Sequence, residues 1–196
     1  FKGKVKYQTN TYGAQNFDMN LSGKLAKKTY FTLSTYQNFD PGSMDLKFTN
    51  YIDRAQFYTA GLTRLFNNDR GRFSVFYKYN VTHPLTTLAN YAPFTYDGDG
   101  KVSELNGFRM GRDSYLPVDG TMQYRDVKTG ELVTNNLYDI IKTRTHEATA
   151  LLDYDFGNNL TLAVKAKFSH SKGHSGDQLT MGFYEDADAT YADNGD

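Results

Sequence analysis

The sequence predicts an all-β fold, an antiparallel up-and-down sheet of about seven strands that forms part of a transmembrane β-barrel. Three observations predict it. Apolar and polar residues alternate with period two over segments of about ten residues. The connections between these segments alternate between tight turns and long loops. The apolar content is 39% and leans on 16 Tyr and 14 Phe with no Trp, which suits a wall of side chains better than a two-layer core.

The first strand covers residues 1 to 9, with Phe1, Gly3, Val5, Tyr7 and Thr9 on one face and Lys2, Lys4, Lys6 and Gln8 on the other. The second, 17 to 24, sets Phe17, Met19, Leu21 and Gly23 against Asp18, Asn20, Ser22 and Lys24. Segments 29 to 39 and 54 to 66 are rich in strand formers, but adjacent Tyr30 and Phe31, and Arg64 among apolar residues, leave their faces open. Residues 72 to 82 alternate most clearly, with Phe76 the exception. Residues 146 to 156 follow with Leu151 out of phase, and 160 to 169 close the series with Leu160, Leu162, Val164, Ala166 and Phe168 on one face.

Between them lie tight turns at 26 to 28, 67 to 71 and 157 to 159, built from Lys, Asn, Asp and Gly, residues that tolerate positive φ. After a brief loop at 10 to 14, long loops are expected near 40–53, 84–143 and 170–196. All tight turns then fall on one edge of the sheet and all long loops on the other, the plan of an outer-membrane barrel with short periplasmic turns and long extracellular loops. Strands of 10 to 13 residues match a tilted bilayer crossing of about 9 to 11 better than the five or six of soluble sheets. Tyr154 and Phe156 beside a turn, and Tyr77 and Tyr79 toward the long-loop end, read as aromatic girdles. A soluble β-rich binding module and a passive porin or adhesin barrel are the competing readings. Since seven strands do not close a bacterial barrel and neither end reads as a domain boundary, residues 1–196 are expected to be part of one barrel domain whose remaining strands lie elsewhere.

The 22 basic and 22 acidic residues cancel, so bulk charge recruits no nucleic acid. The absence of Cys excludes disulfides, thiol catalysis and Cys-ligated zinc. No apolar run is long enough for a membrane helix. There is no Gly-x-Ser-x-Gly elbow, phosphate-cradling Gly loop or His-Glu-x-x-His, so no enzyme is expected, and no cofactor.

The segment Thr11-Tyr12-Gly13, then Leu21-Ser22-Gly23-Lys24-Leu25, then Thr29 to Ser34 running to Asp40-Pro41-Gly42 resembles the start of the barrel in TonB-dependent outer-membrane transporters, just after their plug domain. The resemblance covers residues 1 to 83; beyond them only the rhythm of strands and loops is shared. It implies a 22-stranded barrel in the bacterial outer membrane that imports a scarce nutrient such as a siderophore, haem, cobalamin or glycan. It also implies TonB as a partner, acting through a plug domain not contained in these residues, with outer-membrane lipids around the wall and a surface lipoprotein left open.

The loop from Pro84 to Lys142 is too long to be structureless and carries two hairpin signals, 94 to 102 and 122 to 133, with Gly130 placed for a left-handed turn position. A short helix over 136 to 142 is a further option. Tyr91, Phe94, Tyr96, Arg109, Arg112, Asp113, Tyr115, Tyr124 and Arg125 form a set suited to stacking on and hydrogen bonding a polar ligand. The alternative is that these aromatics build the loop's own core. Asp97-Gly98-Asp99-Gly100 has the look of a calcium loop, but its twelfth position is Phe108, so a plain turn is expected. His170 and His174 are too few for a metal site on their own and read as exposed loop residues.

Overall fold

The computed structural model describes residues 1–43, 45–46, 49–85, 94–113 and 120–175. Its main body is one seven-stranded antiparallel sheet. The strands are β1 (Lys2–Thr9), β2 (Gln15–Ala26), β3 (Thr29–Asp40), β4 (Asp53–Phe66), β5 (Gly71–Pro84), β10 (Ile141–Gly157) and β11 (Leu160–Ser175), in the spatial order β1-β2-β3-β4-β5-β10-β11. Every neighbour is also the next strand of the sheet in sequence, so this is a meander. The excursion between β5 and β10 holds two separate hairpins, β6 (Phe94–Gly98) with β7 (Lys101–Glu104), and β8 (Thr121–Arg125) with β9 (Leu132–Asn136). The tight turns adopt the predicted backbone: Lys28, Asn67, Asn68, Asp69, Asn158 and Asn159 all have positive φ.

Three details depart from expectation. β11 continues to Ser175, so His170 and His174 belong to a strand and the expected loop start at 170 is too early. β10 begins at Ile141 rather than near 146. In both strands the residues past the apolar stretch are mostly polar on both faces, which erases the alternation while the hydrogen-bond ladder runs on, with Thr143 opposite Thr82 and Lys142 opposite His174. The third is the short helix over 136 to 142, which shrinks to a single 3-10 turn, Leu137–Asp139. Asn136 caps it by accepting from the Tyr138 N–H at 2.8 Å, and sheet pairing takes the chain from Ile141 onward.

Register resolves the open faces. Phe31 stands opposite Leu62, and Leu62 opposite Val75, so Phe31 joins the apolar face and Tyr30 the polar one. Arg64 shares the apolar face but sits at its turn end, where its guanidinium reaches Thr29 Oγ1 at 3.2 Å. Phe76 points to the polar face because its cross-strand partner is Gly61. A Cβ on Gly61 would lie 2.5 Å from the Phe76 ring, so the ring occupies the space the glycine leaves, as aromatics shield strand glycines elsewhere. Gly23 is covered likewise by Phe1 and Phe31. Gly61→Val is expected to cost about 1 to 3 kcal/mol through overpacking, read from the denaturant midpoint. Adding Phe76→Ala recovers part of the loss, since the two sites share one space; a double variant that is simply additive contradicts this account.

Among the described residues the apolar face has no second layer. Leu33, Leu62, Phe73, Val75, Tyr77, Leu162, Val164 and Phe168 are all at least 39% exposed. The polar face carries Arg72 paired with Asp153 at 2.8 Å, and Glu147 held between Lys78 at 3.5 Å and Lys167 at 2.6 Å. The apolar band also crosses the sheet obliquely. Its upper limit is Phe17 on β2 but Ala148 and Phe168 on β10 and β11, about two same-face positions lower by register. Its lower limit falls as well, from Phe66 on β4, level with Leu162 by register, to Leu160 on β11. Strands that tilt relative to a horizontal apolar band produce such an offset.

The buried core lies elsewhere, at the long-loop edge. Leu85, Leu137 and Ile140 are at most 1% exposed and pack with Leu46, Ile52, Met122, Tyr138 and Ile141. This cap ties the β3–β4 loop, the end of β5 and the approach to β10 together. The Leu85 N–H donates to Ile52 O at 2.5 Å and the Leu137 N–H to Gly120 O at 2.6 Å.

Candidate functional site

The long-loop edge gathers the polar side chains most able to meet a ligand. Arg109 organises one corner of it. Its backbone N–H donates to Asp113 Oδ2 at 2.7 Å and its guanidinium to Asp113 Oδ1 at 2.9 Å, and the same guanidinium also bonds Asp45. The hydrogen bonds it donates to Asp113 and Asp45 raise the Arg109 pKa further and keep it charged. The Asp45 N–H donates to Arg112 O at 2.6 Å, and Arg112 approaches the Asp45 carboxylate at 3.8 Å. Bidentate pairing of this kind fixes direction as well as distance. The Arg109–Asp45 bond and the Asp45 N–H to Arg112 O fasten the β3–β4 loop to the β5–β10 excursion.

Beside this corner opens a cleft of about 810 Å³, lined by Thr11, Tyr12, Pro41, Gly42, Ser43, Asp45, Leu46, Thr49, Asn50, Gly111 and Arg112. Its walls are locally rigid. Asn10 Oδ1 accepts from the N–H groups of Tyr12 and Ala14, both at 3.0 Å, which holds the turn that projects Tyr12 into solvent. Asp40 Oδ1 accepts from the Gly42 N–H at 2.8 Å. Hydroxyls, an amide, a carboxylate and a guanidinium around an open concavity suit a polar ligand with several hydrogen-bonding groups.

The predicted site residues therefore separate. Arg109, Arg112 and Asp113 come together beside the cleft, and Arg112 lines it. Phe94 and Tyr96 stand on β6, where the Tyr96 hydroxyl accepts from the Gly100 N–H at 3.1 Å and folds back on its own turn. Tyr124 lies on β8 opposite Val133, and Arg125 donates to Gly130 O at 2.6 Å. These two hairpins match the predicted ones, but their aromatics are bound up in the hairpins and do not line the cleft. Tyr91 and Tyr115 lie outside the described residues. Tyr12, Asp45 and Asn50 were missed: they sit in other loops, and only the fold brings them beside Arg112. The Asp97-Gly98-Asp99-Gly100 segment is a turn, with Asp97 accepting from Ser103 Oγ at 3.1 Å. Among the described residues no group of three or more potential ligands could hold a metal ion.

Beneath the cleft, above the end of the apolar stretch of β5 at Val81, the cap buries His83 at 2% exposure. Its ring stacks on Tyr138 with centroids 5.2 Å apart, and Arg54 lies over the same Tyr138 ring at 4.7 Å. Arg54 donates to His83 Nε2 at 3.3 Å, so the neutral imidazole carries its proton on Nδ1. That nitrogen is 3.1 Å from Asp139 Oδ1 but out of line for a hydrogen bond. Burial, with Arg54 and Lys142 adding to it, pushes the His83 pKa below 6.5 against the opposing pull of Asp139. Burial acts to raise Asp139, but the Lys142 hydrogen bond and charge, His83 and Arg54 outweigh it and hold the carboxyl below 3.8.

Both groups bind protons less readily folded than unfolded, so each contributes stability that is present above its unfolded pKa and is lost as pH falls through the lower folded value. For His83 the loss begins below about pH 6.5, for Asp139 only below about 3.8. Amide protection at Leu85, Leu137 and Ile140, corrected for intrinsic exchange, is expected to fall between pH 7 and pH 5, and His83→Gln to remove that dependence. Unchanged protection over this range contradicts the assignment.

No protein family, curated protein or solved structure matches the chain.

Proposed function

We propose that these residues form part of the wall of an outer-membrane β-barrel whose whole polypeptide is an active transporter and receptor, importing a scarce nutrient such as a siderophore, haem, cobalamin or glycan with energy delivered through TonB. The observation that carries the barrel reading is the apolar face of a seven-stranded sheet with no covering layer among the described residues. In water such a face is an association hazard, whereas in a bilayer it is the outer surface of a barrel.

Aromatics at both limits of the band support the same reading. Tyr58 and Tyr79 stack at 6.3 Å, Tyr79 meets His146 at 5.0 Å, and at the turn edge Phe66 stacks on Tyr154 at 5.9 Å while Tyr154 meets Phe156 at 4.7 Å. Tyr58 and Phe66 are eight residues apart on β4, about 26 Å along the strand at ~3.3 Å per residue. Tilted by about 35 to 45°, this stretch rises about 19 to 22 Å, most of the ~25 Å apolar band of such barrels. The cleft at the long-loop edge then opens to the outside, where a polar nutrient would first be met. The polar face, with its ion pairs, lines the lumen and would contact a plug.

The first test is the intact mass and detergent requirement of the native polypeptide. A mass several times 22.3 kDa, recovered only in detergent, supports a large plugged barrel. A mass near that value in detergent-free buffer overturns the reading. Uptake of the cognate nutrient that stops when TonB is removed separates active import from passive passage through a porin.

A further inference from the structure

Two contacts connect the buried His83 cluster to the cleft. Leu46 packs against the cap core and lines the cleft. Ile52 packs against the same core, and its side chain lies so close over Gly42, another lining residue, that a Cβ there would overlap it. The wall at Gly42 and Leu46 therefore leans on the cap. Around His83 the charges do not balance. Arg54 from β4 faces Nε2, Asp139 from the 3-10 turn faces Nδ1, and Lys142 from β10 holds the same Asp139 oxygen at 2.9 Å. Tyr138 stacks on the ring, Tyr51 from the β3–β4 loop faces Tyr138, and the His174 ring bonds the Asp139 carbonyl. Two cations and one carboxylate leave an excess positive charge even while the imidazole is neutral. A proton on His83 adds a second, on a ring that is 2% exposed. It also turns Nε2 from an acceptor into a donor aimed at another donor, the Arg54 guanidinium.

We propose that His83 is an acid-sensitive latch on the cleft: a proton on its imidazole drives Arg54 off the Tyr138 ring, loosens the cap and releases the wall at Gly42 and Leu46. The closed cap disfavours the proton, chiefly by burying the ring, so acid favours the open form. Asp53 cannot supply this response. It lies on the other face of β4, opposite Asp40, and burial and Asp40 raise its pKa. A carboxyl so raised adds stability as pH falls. The opening needs no bilayer; that it weakens retention of a ligand rests on the receptor reading above.

The test follows amide exchange, corrected for intrinsic rates, in the full native polypeptide. The reporters are the Gly42 N–H, bonded to Asp40 Oδ1 at 2.8 Å, and the Asp45 N–H, bonded to Arg112 O at 2.6 Å. A single imidazole that titrates near 6.5 only when the cap is open raises exchange by up to about twentyfold between pH 7 and pH 5. A rise of this kind is expected at both amides, and His83→Gln is expected to remove it. If His83→Gln opens the cap already at pH 7, Arg54→Gln decides. Its amide accepts from a protonated Nε2 as readily as it donates to the neutral ring, so protection at pH 7 is kept and the rise toward pH 5 is weaker. A rise confined to Leu85, Leu137 and Ile140 overturns the link to the cleft. A rise at Gly42 and Asp45 that is undiminished in both variants overturns His83 as the trigger, and no rise at any of these amides overturns the latch altogether. The barrel reading stands or falls separately, by the detergent requirement.

Discussion

Leu62→Arg is expected to lower the stability of the bilayer-embedded protein by about 2 to 4 kcal/mol, read from urea unfolding in phospholipid vesicles. Leu62 lies between Phe31 and Val75 in cross-strand register, well inside the band limited by Tyr58 and Phe66, and 46% of its surface is open on the apolar face. On the barrel reading a guanidinium there has hydrocarbon on one side, and it has no acidic neighbour on its own face. The cost of a charge falls toward the interfaces, so Leu162→Arg, opposite Tyr154 in the turn-side girdle, should cost less than the same change at Leu62. Lys165→Gln, on the polar face opposite Leu151, should leave folding within about 0.5 kcal/mol of the parent. If the sheet stood in water, all three substitutions would be surface changes of similar small effect. Equal tolerance of Leu62→Arg and Lys165→Gln therefore removes the lipid-facing assignment.

The strands were legible because an apolar face and a polar face impose alternation residue by residue. The departures from alternation carried information that no single strand contains. Phe76 looks misplaced until Gly61 is set opposite it, and Arg64 until it is seen at the end of its strand. Turn chemistry was legible for a local reason, since Asn158-Asn159 and Asn67-Asn68-Asp69 need nothing beyond their own backbone to adopt positive φ. The site was legible only in part. Arg109, Arg112 and Asp113 are close in sequence and declare a charged turn, whereas Asp45 and Tyr12 reach it from loops whose relation depends on strand order. The aromatics of the two hairpins were drawn toward the site by composition alone; Phe94, Tyr96 and Tyr124 stand exposed on their hairpins and are not in the cleft lining.

Leu137→Ala is expected to cost about 2 to 5 kcal/mol locally, since Leu137 is 1% exposed at the centre of the cap with Leu85 and Ile140. The loss should appear as faster amide exchange in the cap, while the middles of β4 and β5 exchange as before, because the ladder of the sheet does not run through that core. Loss of protection along the whole sheet would instead make the cap part of one cooperative unit with the wall. The consequence for the cleft follows from Leu46, which packs against the cap core and also lines the cleft. Emptying the space beside Leu137 frees the β3–β4 loop on its inner side while the Arg109–Asp45 pair still holds its outer side. On the receptor reading, ligand affinity should therefore fall in Leu137→Ala although Leu137 does not line the cleft. It should fall further when Asp45→Asn is added, because the same loop is then released at both of its attachments.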